Sequence, residues 1–208
     1  MRKIILTLMV FGAGLSAIAQ NTYRSDDSNA RAVKRQKAVS AWHQDMAEFR
    51  ARSAHDRQLN ALADSLAYVQ AKAALVNRDF VLEATSVTFN NGETSFVNSI
   101  TNFISLKGNK AVVQISPSNY ASGPNGVGGV TVEGTVSGVE IKTDKKGGTT
   151  LTMNVMGIGI NAQVEVYMYP GSNGATATVY PNFNSNTLWV QGTLVPYENS
   201  DVFKGSSL

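Results

Sequence analysis

The chain has 208 residues, 43% hydrophobic and 16% charged, with a formal charge of +3. That composition supports a core of ordinary size and excludes a disordered polyelectrolyte, so one folded domain, with or without an appendage, is expected. The basic surplus is local: residues 1–19 carry +2, residues 20–78 carry ten basic and six acidic groups, and residues 79–208 carry six lysines against nine carboxylates. A main domain at −3 argues against nucleic acid as a partner.

The chain opens on Met1-Arg2-Lys3, followed by an apolar run from Ile4 to Ala19 that closes on Ala17-Ile18-Ala19 before Gln20. This is the layout of a secretory signal peptide over 1–19, cleaved between Ala19 and Gln20, and it predicts a secreted or periplasmic product. Sixteen apolar residues at about 1.5 Å each reach about 24 Å, short of the roughly 30 Å hydrocarbon core, which favours a leader over an anchor. No later stretch is apolar and long enough to span a bilayer, so no transmembrane segment is expected in the mature protein. The chain contains no cysteine, hence no lipobox thiol and no disulfide. An exported bacterial protein large enough to close its core unaided fits that usage.

Residues 20–78 read as a helical lead. From 29 to 77 no Gly or Pro interrupts the chain, and thirteen alanines fall between 28 and 78. Leu59, Leu62, Leu66, Val69, Ala73 and Val76 recur at alternating spacings of three and four, one apolar stripe. Val39, Trp42, Met46 and Phe49 form an earlier stripe shifted by one position, and Ser53 with Asp56 fits a capping box, so a break or bend near 52–55 is expected. The stripe predicts a helix docked on the following domain, with a coiled-coil homodimer or a helix-mediated protein partner as the alternative.

From residue 80 the pattern changes to period two. Asn91-Gly92, Gly108-Asn109, Gly147-Gly148 and Asn173-Gly174 separate alternating apolar runs, a strong hairpin signal. Strands are expected at 80–89, 94–105, 110–115, 130–137, 139–144, 149–156, 161–169, 174–180 and 187–194. No helix-length segment intervenes, which excludes a parallel βαβ sheet. The expected fold is mainly β: an antiparallel up-and-down, lipocalin-like barrel of about eight or nine strands over 79–208, with a two-sheet sandwich as runner-up. One face is aliphatic and the other carries Thr, Tyr and Trp. Val132, Val136, Val164, Val166, Val190 and Leu194 are expected to face the lumen, with Val130 on the same face of its strand. Ala162, Ala175, Ala177 and Gly192 either leave room inside or match larger neighbours.

The run Gly126-Val127-Gly128-Gly129-Val130-Thr131-Val132-Glu133-Gly134-Thr135-Val136, with Asn154-Val155-Met156-Gly157, the segment from Tyr180 to Asn186 and Gln191-Gly192-Thr193-Leu194-Val195-Pro196, resembles an exported Bacteroidetes family described only as a domain of unknown function. The resemblance covers about 79–208. It implies a secreted lipocalin-like barrel behind a signal peptide and a helical lead, and it implies no activity.

Residues 79–208 contain no His, Cys or Arg, so histidine or cysteine metal sites, Ser-His-Asp and Cys-His systems and arginine clamps are excluded from the β domain. No catalytic residue, metal or cofactor is therefore expected. Gly157-Ile158-Gly159-Ile160-Asn161-Ala162 matches a dinucleotide fingerprint, but a strand rather than a helix follows, and the glycines read as a bulge or bend. His43 and His55 read as surface residues of the helix. Glu133 and Glu165 share the polar strand face, Lys145 and Lys146 sit in a turn, and the loop 116–129, with Tyr120, is a candidate rim over the barrel mouth. The segment from Tyr180 to Asn186 is a weaker candidate for carbohydrate or peptide contact. Two readings follow: an exported non-enzymatic module binding a small apolar or amphiphilic ligand, or an envelope interaction protein whose helix engages a partner. A hydrolase using the surface carboxylates ranks third.

Overall fold

The computed structural model describes residues 3–116, 126, 128–182 and 186–207, with side chains from residue 28 onward. Contacts divide the chain into residues 1–59 and residues 60–208, and the second unit holds the end of the helix together with every strand. Helix α1, Lys3–Asn77, runs without interruption. The break expected near 52–55 is absent: Ser53 and Asp56 lie inside a Gly- and Pro-free run in which nothing makes the preceding residues leave the helix. Arg78 ends it in the left-handed region (φ 58°), its N–H donating to the Leu75 carbonyl at 3.2 Å, the position glycine usually takes. The Arg78 carbonyl then accepts the Gly108 N–H at 2.8 Å, tying the helix exit to a strand turn.

Among the described residues nine strands follow: β1 Asp79–Thr88, β2 Thr94–Phe96, β3 Phe103–Lys107, β4 Lys110–Ile115, β5 Val130–Thr143, β6 Thr149–Gly157, β7 Ile160–Met168, β8 Gly174–Pro181 and β9 Leu188–Pro196. Every pairing is antiparallel. β9 returns to β1, from Phe80↔Pro196 to Thr88↔Trp189, and closes eight strands into a barrel; β2 lies outside, paired with the end of β1. Closure removes the open edges that a sandwich would leave.

Two expected boundaries are corrected. Residues 94–105 are not one strand, because the Asn98 side chain accepts the Ile100 N–H at 3.0 Å and its carbonyl the Thr101 N–H at 3.3 Å, an Asx turn that interrupts the run. Residues 130–137 and 139–144 form a single strand with a bulge: the register skips between Ser137 and Glu140, and Gly138 adopts φ 61°. The extra residue reverses the alternation, so Val136, Val139 and Ile141 all face the core while Glu140 pairs with Lys142 in solvent. The Gly157-Ile158-Gly159-Ile160 run is the β6–β7 turn, with Gly157 opposite Ile160.

The interior is one apolar cluster to which all eight barrel strands contribute, and Ala71, Ala74 and Leu75 of the helix belong to it. Tyr68 packs against the same cluster and donates its hydroxyl to the Gly147 carbonyl at 3.0 Å. The last turns of α1 therefore cover the barrel end that carries the 108 and 147 turns. The stripe expected to dock does not: Leu59, Leu62, Leu66, Val69 and Val76 are 49–69% exposed. The Ala71–Ala74 face has the smaller side chains and lets the helix backbone approach the strand ends closely, with Leu75 as the one large insert. Val130 keeps the face of Val132, the register between them being unbroken, but is half exposed at the strand start.

After β9, the 3-10 turn Tyr197–Asn199 contacts β1 and β3, and the chain continues across the outer face of the barrel. Gln114, fully buried, anchors it. Its Nε2 donates to the Thr101 and Phe203 carbonyls at 3.0 and 2.8 Å, while its Oε1 accepts from Thr131 Oγ1 at 2.7 Å and the Gly205 N–H at 2.8 Å. Replacing Gln114 with Leu leaves these groups buried without a partner and is expected to cost about 2–4 kcal/mol. Urea unfolding measures the loss, and faster amide exchange at Gly205 locates it. Unchanged stability and exchange would mean the segment is held by other contacts.

Candidate functional site

Val132, Val136, Val164, Val166, Val190 and Leu194 all lie inside the barrel, each at most 8% exposed and all in the one core cluster. Small residues sit beside larger ones across the strands: Ala177 lies between Val166 and Val190, and Ala175 opposite Met168. At Gly192 an added Cβ would overlap the Glu83 carbonyl, so this glycine serves a close strand approach instead of opening space. None of these six residues lines the surface clefts beside Lys107, Phe89, Gln70 and Glu83. Tyr120 and most of the loop 116–129 lie outside the described residues, as do 183–185; Tyr180 is 42% exposed.

The carboxylates do not form a catalytic pair. Glu165 of β7 is opposite Thr152 of β6, whereas Thr135 of β5 is opposite Met156. Glu133 is thus offset from Glu165 by about six residues, roughly 20 Å along the strands, well beyond the roughly 5–9.5 Å that glycoside hydrolysis uses. His43 and His55 are exposed on the helix. Among the described residues no group of three or more His, Asp or Glu side chains converges as metal ligands would. In the Lys145-Lys146 turn, Asp144 Oδ1 accepts the Lys146 and Gly148 N–H groups at 2.8 and 2.9 Å, a turn-building role. Desolvation, with the neighbouring Asp144 charge, raises the Tyr167 phenol above its usual range; its ring meets Tyr169 edge-on at 5.4 Å.

Among the described residues, four surface clefts stand out. One lies beside Phe89 and Leu188 at the barrel mouth, one beside Gln70 and Glu198, and one beside Glu83 and Val202. The fourth, of about 420 Å³, is bounded by β3, β4, β5, the end of β6 and the C-terminal segment. Its wall carries Lys107, Lys110, Lys204, Glu133, Tyr197 and Met156. Lys107 Nζ stands 4.3 Å from the Tyr197 ring centroid, and Lys204 pairs with Glu133. The sequence does not signal this cleft, because residues separated by nearly a hundred positions meet only when the C-terminal segment crosses the barrel.

These features define an antiparallel eight-stranded barrel with a buried apolar interior, one outside strand and a helix over one end. The family profile described as "Domain of unknown function (DUF4251)" matches residues 63–194, and the chain belongs to that family. The match begins inside the helix, sixteen residues before the first strand, as expected if the docked turns are part of the domain. A crystal structure of a DUF4251 family protein from Bacteroides eggerthii is similar at 46% identity and a TM-score of 0.59, covering 71% of this chain and 99% of that one. No curated protein matches the chain.

Proposed function

We propose that the protein is an exported, non-enzymatic interaction module in which the barrel is a solid scaffold and the exposed helix face engages a partner helix. The observation that carries this reading is the stripe Leu59, Leu62, Leu66, Val69 and Val76, large aliphatic residues at heptad-like spacing that stay exposed although the same helix docks by another face. That spacing is an a/d seam without its second helix. The leader supports export, with the mature chain starting at Gln20. The alternative, a small apolar ligand in the barrel, has against it an interior already occupied by side chains from every barrel strand.

A second copy is the partner to test first. Sedimentation of the chain from Gln20 is expected to give a concentration-dependent dimer that the double substitution Leu62→Glu/Leu66→Glu abolishes, with barrel melting unchanged. A monomer at all concentrations, together with no photocrosslinked adduct from position 62 in the exporting cell, would overturn the reading.

A further inference from the structure

We infer that the cleft between the C-terminal segment and β3–β6 is a binding site for an amphiphilic anion, a molecule with one carboxylate, sulfonate or phosphate-ester group on an apolar or aromatic body. Charge is the first argument. Three of the six lysines in residues 79–208 line this cleft with a single carboxylate, Glu133, giving +2 locally; the other three lysines and eight carboxylates leave the rest of the domain at −5. Lys204 engages Glu133, so that carboxylate does not cancel Lys107 and Lys110.

The register gives the second argument. Lys107 and Lys110 are directly opposite each other across the β3–β4 turn. Like charges in that relation repel and weaken the pairing. Lys107 is held over Tyr197, and Lys110 has no ion-pair partner among the described residues. Two ammonium-bearing side chains on directly opposed positions are a cost to the empty fold and an asset to one that holds an anion. Lysines act here as point charges, which suits a small anionic head of any of the three kinds without the fork geometry of arginine.

Shape and polarity supply the third argument. Beyond the lysines the wall turns apolar: Val112 is half-buried, Met156 is 66% exposed, and Tyr197 adds a ring. A volume of about 420 Å³ lies within the roughly 300–1,000 Å³ typical of small-molecule sites. This site is independent of the barrel lumen and of the helix stripe.

The test is an NMR titration of the full chain labelled with 13C in its methionine methyls, using 2-naphthoate as probe and neutral 2-naphthamide as control. The Met156 methyl, assigned through Met156→Leu, is expected to shift saturably with naphthoate. The buried methyls of Met153 and Met168 stay still, and naphthamide gives no saturable shift. Lys107→Gln/Lys110→Gln should weaken naphthoate binding at least about tenfold, because two charges without a carboxylate partner are removed. The single variant Lys110→Gln should weaken binding while melting at or above the wild-type temperature, which a structural role for the lysine would not produce. Lys145→Gln/Lys146→Gln should bind as wild type. A Met156 methyl that never shifts saturably, a naphthamide response equal to that of naphthoate, or undiminished binding by the Lys107 and Lys110 variants would each overturn the proposal.

Discussion

A chain that begins at Asp79 is expected to lose about 3–6 kcal/mol of stability against one that begins at Asn60, whereas the latter should unfold much as the mature protein does. The contrast follows from where the helix touches the barrel. Leu75 and Ala71 are fully buried and Ala74 nearly so, in the same cluster as Phe80 and Leu82 of β1. Burying one large aliphatic side chain contributes about 1.5–3 kcal/mol; the two alanines, the Tyr68 ring and its bond to Gly147 add to it, offset in part by the entropy of ordering the last turns. Removal also bares the barrel end beneath. Residues before 60 carry none of these contacts, so their loss should leave the urea midpoint nearly unchanged. Leu75→Ala isolates the largest contact and should cost about 2–5 kcal/mol. Equal stability of the chains starting at 60 and at 79 would mean that the barrel is self-sufficient and the docked helix incidental.

Much of the fold was legible in the sequence because barrel strands obey one rule at a time. Period two from Ala162 to Met168 and from Ala175 to Val179 placed β7 and β8 with their faces, and glycine-bearing turns separated most of the strands. Legibility failed where a local interaction overrode the alternation. Asn98 broke what reads as a continuous run, and Gly138 continued what reads as two strands, because a bulge reverses parity without ending the pairing. The helix reversed the usual inference: its most regular apolar stripe stays exposed, and a face of two alanines, one leucine and a tyrosine docks. Hydrophobic spacing says that a face exists, not which partner it meets. The buried amide Gln114 and the lysine cleft depend on a C-terminal segment without periodicity, and buried Asn102 on its bonds to Ser116 across fourteen residues, so no local pattern announced them.

Introducing tryptophan at Val166 is expected to destabilise the barrel by at least about 3 kcal/mol, with Val136→Trp costing less but still more than about 1 kcal/mol. Val166 is fully buried at mid-strand, between Leu151 of β6 and Ala177 of β8, and Ala177 is in turn opposite Val190. All four of these side chains are at most 1% exposed, so an indole has to displace buried neighbours. Val136 sits beside the β5 bulge and is 8% exposed, which gives its strand more freedom to yield. Urea unfolding followed by circular dichroism measures both changes. Ala177→Val is the milder companion, expected to cost about 1–3 kcal/mol by the same crowding. A Val166→Trp protein that unfolds within about 1 kcal/mol of wild type would mean that the interior holds unfilled space, since only a void absorbs an indole without strain. The small-ligand reading would then displace the scaffold reading, and the lumen residues Val132, Val164, Val190 and Leu194 would become the first positions to probe.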